Sequence, residues 1–179
     1  TDNGLFKLYG AFDTSNFKLT QEDINYEDGV GFKLNNDNVY VNGSYSSKLN
    51  ETWSMFGGLS FTHANNRINF EDNDIDNVEN SFHAKMKFKI RISNRFKLYF
   101  GAEYFATDFA ETFENNDVDA VNYGYNNNIA AAYAEADIFV SKQLAFKTGL
   151  RAEYTEVFKD FTIAPRLSLA YKTSGKSQL

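Results

Sequence analysis

The chain has 179 residues, a formal net charge of -6 and no cysteine. These totals exclude a disulfide framework, a thiolate metal site and a cysteine nucleophile, and the acidic balance argues against a nucleic-acid-binding protein, which would be basic. Mean hydropathy is -0.49, and no apolar run approaches the roughly 18 residues of a membrane-spanning helix. Aromatic residues make up 17% of the chain and there is one proline, a composition typical of pleated strands.

Apolar and polar residues alternate in eight segments, which are separated by stretches rich in Asn, Asp and Glu. Alternation with a period of two is typical of β-strands that have one apolar face. The sequence therefore predicts eight strands, near residues 5–13, 33–47, 52–64, 80–92, 96–107, 128–140, 144–156 and 161–172. Pro165 lies in the last of them, where proline suits an edge strand or a bulge.

The clearest alternation lies between residues 82 and 92. Its apolar positions alternate with five polar side chains, which are His83, Lys85, Lys87, Lys89 and Arg91. Folding this strand against residues 96–107 around Asn94 places apolar residues opposite apolar residues and Lys85 opposite Glu103. A shift of one residue would move every side chain to the wrong face, so this agreement supports the register.

Three hairpins share a turn of about three residues, at 49–51, 93–95 and 141–143. In the last of these hairpins, Asp137 is predicted to lie opposite Lys147. At the other end of the strands we expect long polar loops, roughly at residues 14–30, 65–79 and 108–127. Short turns at one end and long loops at the other are typical of a barrel that crosses an outer membrane.

The length and composition of the strands favour lipid over a soluble core on the apolar face. Strands of about eleven residues exceed the five or six usual in soluble sheets, and aromatic residues near the strand ends match interfacial girdles. We therefore predict an all-β fold, a segment of an antiparallel up-and-down transmembrane β-barrel. The predicted lipid-facing residues are Trp53, Met55, Leu59, Phe82, Met86, Phe88, Ile90, Phe96, Leu98 and Phe100. The predicted lumen-facing residues are His83, Lys85, Lys87, Lys89, Arg91, Glu103, Glu135, Asp137, Lys147 and Arg151.

Several phrases of the sequence carry a family resemblance, above all IAAAYAEAD, GLRAEYTE and APRLSLAYK, and before them NGLFKLYG and FKLNNDNVYVNGSYSSKLNETWSMFGGLSF. They resemble the barrel of TonB-dependent receptors, especially the Bacteroidota outer-membrane barrel family. The resemblance implies about 22 strands around a plug. We therefore expect residues 1–179 to be part of one larger barrel domain, with no plug domain and no signal peptide visible in them.

The resemblance also implies a function. Such a receptor lies in the outer membrane of a Gram-negative bacterium, binds a scarce nutrient and imports it with force transmitted through TonB. The implied partners are outer-membrane lipid, the plug domain, the remaining barrel strands, the TonB complex and a surface lipoprotein, with no nucleic acid. Two alternatives stay open: a complete small eight-stranded outer-membrane barrel with an anchoring or adhesion role, and a soluble β-sandwich binding module for carbohydrate.

No residues in the sequence form a recognisable catalytic or cofactor site. The cationic row at 83–91 could attract anions or dock an acidic plug face, although a solvated lumen wall with balancing carboxylates such as Glu103 is the simpler interpretation. The run at 72–76 begins like a calcium loop, but Asn77 replaces the required glycine and His83 the required glutamate, so a solvated loop is predicted. We predict no enzyme activity, no cofactor and no metal site.

Overall fold

The computed structural model describes residues 4–24, 26–116 and 118–173. They form one eight-stranded antiparallel sheet in which each strand pairs with the next along the chain. The strands are β1 (Gly4–Asp23), β2 (Tyr26–Lys48), β3 (Trp53–Phe70), β4 (Asn73–Arg91), β5 (Phe96–Asn115), β6 (Val118–Phe139), β7 (Leu144–Thr155) and β8 (Asp160–Tyr171). The predicted fold class, strand number and up-and-down topology are confirmed.

Small polar side chains close the short turns at one end of the sheet. In the turn from β2 to β3, Asn50 Oδ1 accepts hydrogen bonds from the backbone N–H groups of Thr52, at 2.9 Å, and Trp53, at 2.8 Å. In the turn from β6 to β7, Ser141 Oγ accepts a hydrogen bond of 3.0 Å from the N–H of Leu144. Asn and Ser favour turns because their side chains replace the backbone partners that a strand would supply.

The prediction of long loops at the other end is wrong. Residues 14–30, 65–79 and 108–127 largely continue β1–β6 as paired strands, which are 18 to 23 residues long. Between β3 and β4, for example, the chain reverses over Glu71 and Asp72 alone. We call these continuations the sheet extension, which comprises residues 13–20, 31–38, 64–70, 73–79, 109–115 and 121–125.

Hydrogen bonds between side chains explain why Asn-rich segments form strands here. Asn36 Nδ2 donates to Asn66 Oδ1, and Asn66 Nδ2 donates to Asn77 Oδ1 at 2.8 Å, so one row of amides joins β2, β3 and β4. Between β5 and β6, Thr112 Oγ1 donates to Asn122 Oδ1 at 2.6 Å. Cross-strand pairs stabilise a sheet, and they outweigh the low strand propensity of each single Asn.

The pairing separates the two predicted residue sets completely. All ten predicted lipid-facing residues lie on one face, the apolar face, and all ten predicted lumen-facing residues lie on the other, the charged face. Lys85 pairs with Glu103 and Asp137 with Lys147, so both predicted registers are confirmed. Which face meets lipid and which meets the lumen is taken up below as a proposal.

The apolar face is apolar only over a band beside the short turns. The band covers residues 53–61 of β3, 82–90 of β4 and 96–106 of β5, which is nine to eleven residues in each strand. A tilted strand needs about this length to cross a bilayer. Beyond the band, the same face carries polar residues such as Arg67 and Asp76, which lie opposite each other.

The sheet buries almost no apolar side chain. Among the described residues only Ala131, 6% exposed, is a buried apolar residue, whereas Leu59 and Leu150 are 58% and 50% exposed. A soluble β-sandwich would cover its apolar face with a second sheet, so this alternative does not fit the single layer seen here. None of the described residues forms a helix long and apolar enough to cross a membrane.

Candidate functional site

An ion-pair network occupies the centre of the charged face, around Glu103. Its Oε1 lies 2.5 Å from Lys85 Nζ, and its Oε2 accepts a hydrogen bond of 2.8 Å from Arg151 Nη1. Arg151 Nη2 also pairs with Glu153, at 2.8 Å. Arg151 reaches Glu103 diagonally across β6, past the small Ala131 that lies opposite Glu103, since its own register partner is Tyr133. Only 10% of the Glu103 side chain and 18% of the Arg151 side chain are exposed.

A second cluster lies nearer the short turns, around Glu135. Lys147 Nζ lies 3.2 Å from Glu135 Oε2, and Arg166 Nη1 lies 3.6 Å from Glu135 Oε1. Lys147 thus makes its ion pair with Glu135, although its register partner is Asp137. The structure therefore brings Lys85, Glu103 and Arg151 into one network and Lys147 and Glu135 into the other.

Three lysines converge on the ring of Tyr99, which lies between these two clusters. The distance from Nζ to the ring centroid is 5.0 Å for Lys87, 5.6 Å for Lys147 and 5.7 Å for Lys89. Ammonium groups at such distances are attracted to an aromatic face. Within the described part of the chain, neither Lys87 nor Lys89 has a carboxylate at salt-bridge distance. Tyr99 was not among the predicted site residues, although its parity places it on the same face.

The two ends of the cationic row have different surroundings. The His83 ring stacks on Phe105, with centroids 4.0 Å apart and an interplanar angle of 7°. His83 Nε2 is buried and finds no hydrogen-bond partner among the described residues. At the other end, Arg91 Nη2 donates a hydrogen bond of 3.1 Å to the backbone oxygen of Glu51 in a short turn. Along the row, Lys85 is ion-paired and Arg91 is hydrogen-bonded to the backbone, whereas Lys87 and Lys89 contact the ring of Tyr99.

A cleft of about 850 Å³ opens over this part of the charged face. We call it the lysine cleft, and its polar lining includes Ser46, Lys48, Ser54, Lys87, Lys89 and Tyr99. Lys85 also lines it, but no carboxylate of the described residues does. The cleft therefore combines ammonium groups with hydroxyl donors, which is the chemistry that binds anions.

The charged face is basic only near the short turns. From the row of Lys85 to those turns, the strands present ten cations, which are Lys7, Lys48, Lys85, Lys87, Lys89, Arg91, Lys97, Lys147, Arg151 and Arg166. They present four carboxylates, which are Glu103, Glu135, Asp137 and Glu153. Ten positive and four negative charges leave a net charge of +6 on this half of the face.

The same face of the sheet extension has the opposite character. Its described side chains include the carboxylates of Asp13, Glu79 and Glu111 and no Lys or Arg. Tyr123 donates a hydrogen bond to the Glu111 carboxylate, which raises the pKa of this exposed phenol above its ordinary value. Nearer the tips, a row of apolar residues crosses six strands on this face: Phe17, Leu34, Ile68, Ile75, Phe113 and Val121.

No metal centre emerges from the described residues, which hold no group of three or more His, Asp or Glu side chains suited to a metal ion. The run at 72–76 was predicted to be a solvated loop, and this prediction is wrong. Residues 73–76 begin β4, and Asp74 and Asp76 lie on one face of that strand. Two carboxylates on an extended strand cannot wrap an ion as a calcium loop does.

Close packing at Gly101 yields a testable prediction. A Cβ atom at Gly101 would lie 2.8 Å from Tyr133 Oη and would also clash with the backbone oxygen of Met86. We expect Gly101→Ala to lower the free energy of unfolding by about 1–3 kcal/mol, the usual cost of overpacking. Gly57→Ala is the matched control, because its Cβ would lie 3.9 Å from the backbone oxygen of Lys85.

Denaturant unfolding in phospholipid vesicles measures both variants. The control is expected to stay within about 0.5 kcal/mol of the unaltered protein. Equal losses for Gly101→Ala and Gly57→Ala would show that Tyr133 does not pack on Gly101.

Comparison with known proteins shows the family to which the sheet belongs. The sequence profile of the family described as "TonB dependent receptor-like, beta-barrel" matches residues 1–177. The chain belongs to this family. The predicted membership among TonB-dependent receptors is thereby confirmed. A search of curated proteins returns no match.

Solved structures of outer-membrane receptors share the fold at low sequence identity. The outer membrane transporter YddB from Escherichia coli is 12% identical with a TM-score of 0.74, and the alignment covers 96% of this chain and 28% of YddB. The ferric yersiniabactin uptake receptor FyuA from Yersinia pestis is also 12% identical, with a TM-score of 0.70 and coverage of 97% and 32%. BauA, the ferric preacinetobactin receptor from Acinetobacter baumannii, is 9% identical with a TM-score of 0.58, and the alignment covers 96% of this chain and 35% of BauA.

This TonB-dependent receptor chain therefore spans about a third of the length of the structures that it matches. Family and fold together locate it in the outer membrane of a Gram-negative bacterium, as predicted.

Proposed function

We propose that the chain is part of a receptor that binds a scarce nutrient at the cell surface and imports it with force transmitted through TonB. The observation that carries the proposal is the family match over residues 1–177. Matched structures described as an outer membrane transporter and an uptake receptor support it. The proposal includes no enzyme activity, because the matched family is described as receptors and the matched structures as a transporter and an uptake receptor. The resemblance of the strand phrases to Bacteroidota receptors extends the proposal to that group and to a surface lipoprotein as partner.

In this proposal the apolar face contacts lipid and the charged face lines the lumen. The length of the apolar band matches a bilayer crossing, and the ion pairs around Glu103 suit the polar interior of a barrel. The short turns then lie on the periplasmic side. The sheet extension projects beyond the outer surface, with polar residues such as Arg67 and Asp76 directed to water.

The two edges of the sheet support a larger barrel. Among the described residues, β1 and β8 share no contact, so the sheet does not close on itself. An edge strand in lipid would leave backbone groups without partners, at several kcal/mol for each group. We therefore propose that the remaining strands of the receptor pair with β1 and β8, and that its plug domain lies within the water-containing lumen. Closure into a small eight-stranded barrel would require β1 to pair with β8 directly.

Growth of the natural host tests the proposed import. A strain lacking the receptor is compared with its parent on media limited in turn for iron chelates, vitamins, glycans and peptides. We expect the deletion to abolish growth on at least one of these sources, and deletion of TonB to abolish growth on the same source. Unchanged growth on every source, or a defect that TonB deletion does not reproduce, would contradict the proposal.

A further inference from the structure

The lysine cleft holds cations that the rest of the charged face leaves uncompensated. In the two ion-pair clusters, each cation has a carboxylate within 4 Å, as for Lys85 with Glu103 and Lys147 with Glu135. Lys87 and Lys89 differ, since among the described residues neither has a carboxylate within 4 Å and both ammonium groups lie over the ring of Tyr99. Lys48 lines the same cleft and also has no ion pair among the described residues, so three lysines without a carboxylate partner lie together there.

The spacing of these groups suits a ligand with more than one negative charge. Lys87 and Lys89 are two residues apart on β4, so their backbone positions are separated by roughly 7 Å. This separation is shorter than the Debye length of about 8 Å in physiological salt, so the two ammonium groups repel each other. An anion that bridges them removes this repulsion, and Ser46 and Ser54, which line the same cleft, supply hydroxyl donors.

We infer that the lysine cleft is a binding site for a small multivalent anion that carries carboxylate or phosphate groups. The inference rests on the proposed function, because it requires the charged face to be open to the aqueous lumen. The ammonium groups of Lys87 and Lys89 bind the anion by charge-assisted hydrogen bonds. The net charge of +6 on this half of the face draws anions toward it, away from the carboxylates of the sheet extension.

Citrate and inorganic phosphate are the probes. The natural full-length receptor is titrated with citrate by calorimetry in a non-ionic detergent at low ionic strength. We expect binding that phosphate competes with and that added salt weakens. Replacing both Lys87 and Lys89 with Gln is expected to raise the Kd for citrate at least about ten-fold, because both charge-assisted contacts are lost.

Lys18 and Lys33 provide a matched control. They lie opposite each other across β1 and β2, on the other face of the sheet extension. Replacing both with Gln removes the same two charges, but we expect the Kd to change by less than about two-fold, since these lysines lie on the opposite face and far along the strands from the lysine cleft. No binding of citrate or phosphate by the unaltered receptor, or an equal loss in the control pair, would overturn the anion site.

Cysteine labelling separates the anion site from the proposed orientation of the sheet. Lys87→Cys and Phe88→Cys are each treated with a water-soluble maleimide, since this chain has no cysteine of its own. We expect Lys87→Cys to react, citrate to slow its reaction, and Phe88→Cys to stay protected by lipid. If Lys87→Cys reacts but citrate has no effect, the anion site is wrong while the orientation stands. If Phe88→Cys reacts and Lys87→Cys does not, the orientation itself is wrong.

An acidic segment of the same receptor is the competing occupant of the cleft. In that case Lys87→Cys would be unreactive in the full-length protein, as would Phe88→Cys, and the double Gln variant would have a lower Tm. This result would overturn the small-anion site and replace it with an intramolecular contact.

Discussion

Met86→Arg is expected to lower the free energy of unfolding by about 2–4 kcal/mol, the cost of a cation at the bilayer midplane of a barrel. Met86 lies at the centre of the apolar band of β4, and 46% of its surface is exposed on the apolar face. If that face meets hydrocarbon, the guanidinium loses its water and gains no partner. Urea unfolding of the full-length receptor in phospholipid vesicles measures the effect.

Position along the strand and choice of face supply two controls for this variant. Phe82→Arg lies at the end of the same band and is expected to cost about 0–1 kcal/mol, because a cation near the interface reaches water. Lys87→Met changes the neighbouring residue on the charged face and is expected to change stability by about 0.5 kcal/mol or less. A cost that does not depend on depth, or a larger cost for Lys87→Met than for Met86→Arg, would mean that the apolar face does not meet lipid.

Glu103→Gln is expected to lower the free energy of unfolding by about 1.5–3 kcal/mol, the usual contribution of hydrogen bonds to charged groups. Glu103 is the shared partner of Lys85, at 2.5 Å, and Arg151, at 2.8 Å, in a part of the face where only 10% of its side chain is exposed. The amide keeps the shape of the carboxylate but loses its charge, so Lys85 is left without a carboxylate partner and Arg151 keeps only Glu153. The same unfolding assay in vesicles measures this change.

An exposed ion pair provides the comparison. Arg67 and Asp76 lie 3.7 Å apart with 63% and 61% of their side chains exposed, so Asp76→Asn is expected to cost about 0–1 kcal/mol. The double variant Glu103→Gln with Arg151→Gln should lose less free energy of unfolding than the two single variants lose together, by about 0.5–3 kcal/mol, because the two groups interact directly. Strict additivity would show that Glu103 and Arg151 act independently.

The alternation of residues was sufficient to predict the two faces and the registers of the clearest hairpins. A period of two has only two possible phases, and the phase that places Phe88 opposite Phe100 also places Lys85 opposite Glu103. No further information about these strands was needed, because a register shift of one residue would exchange the two faces. The apolar band was predictable for the same reason.

The sheet extension was not predictable from composition, because Asn and Asp are depleted in strands as single residues. The stability of Asn66 in β3 depends on amides in both neighbouring strands, Asn36 and Asn77, which are 30 and 11 residues away in the sequence. The contact of Arg151 with Glu103 similarly involves a third strand, because Arg151 extends diagonally past the small Ala131 of β6. Tyr99 acquires its role from lysines of two other strands, β4 and β7. Each of these features needs three strands at once, whereas a sequence pattern describes one.

The continuous pairing of the sheet extension restricts how this receptor can change length during evolution. A single inserted residue within residues 64–70 would exchange the faces of everything beyond it or force a bulge, and the amide row from Asn36 to Asn77 would be broken. Residues added in the reversal at 71–72 leave all existing pairs intact. Insertions and deletions among close relatives should therefore cluster at the hairpin tips, whereas the paired strands of the sheet extension should keep the same registers.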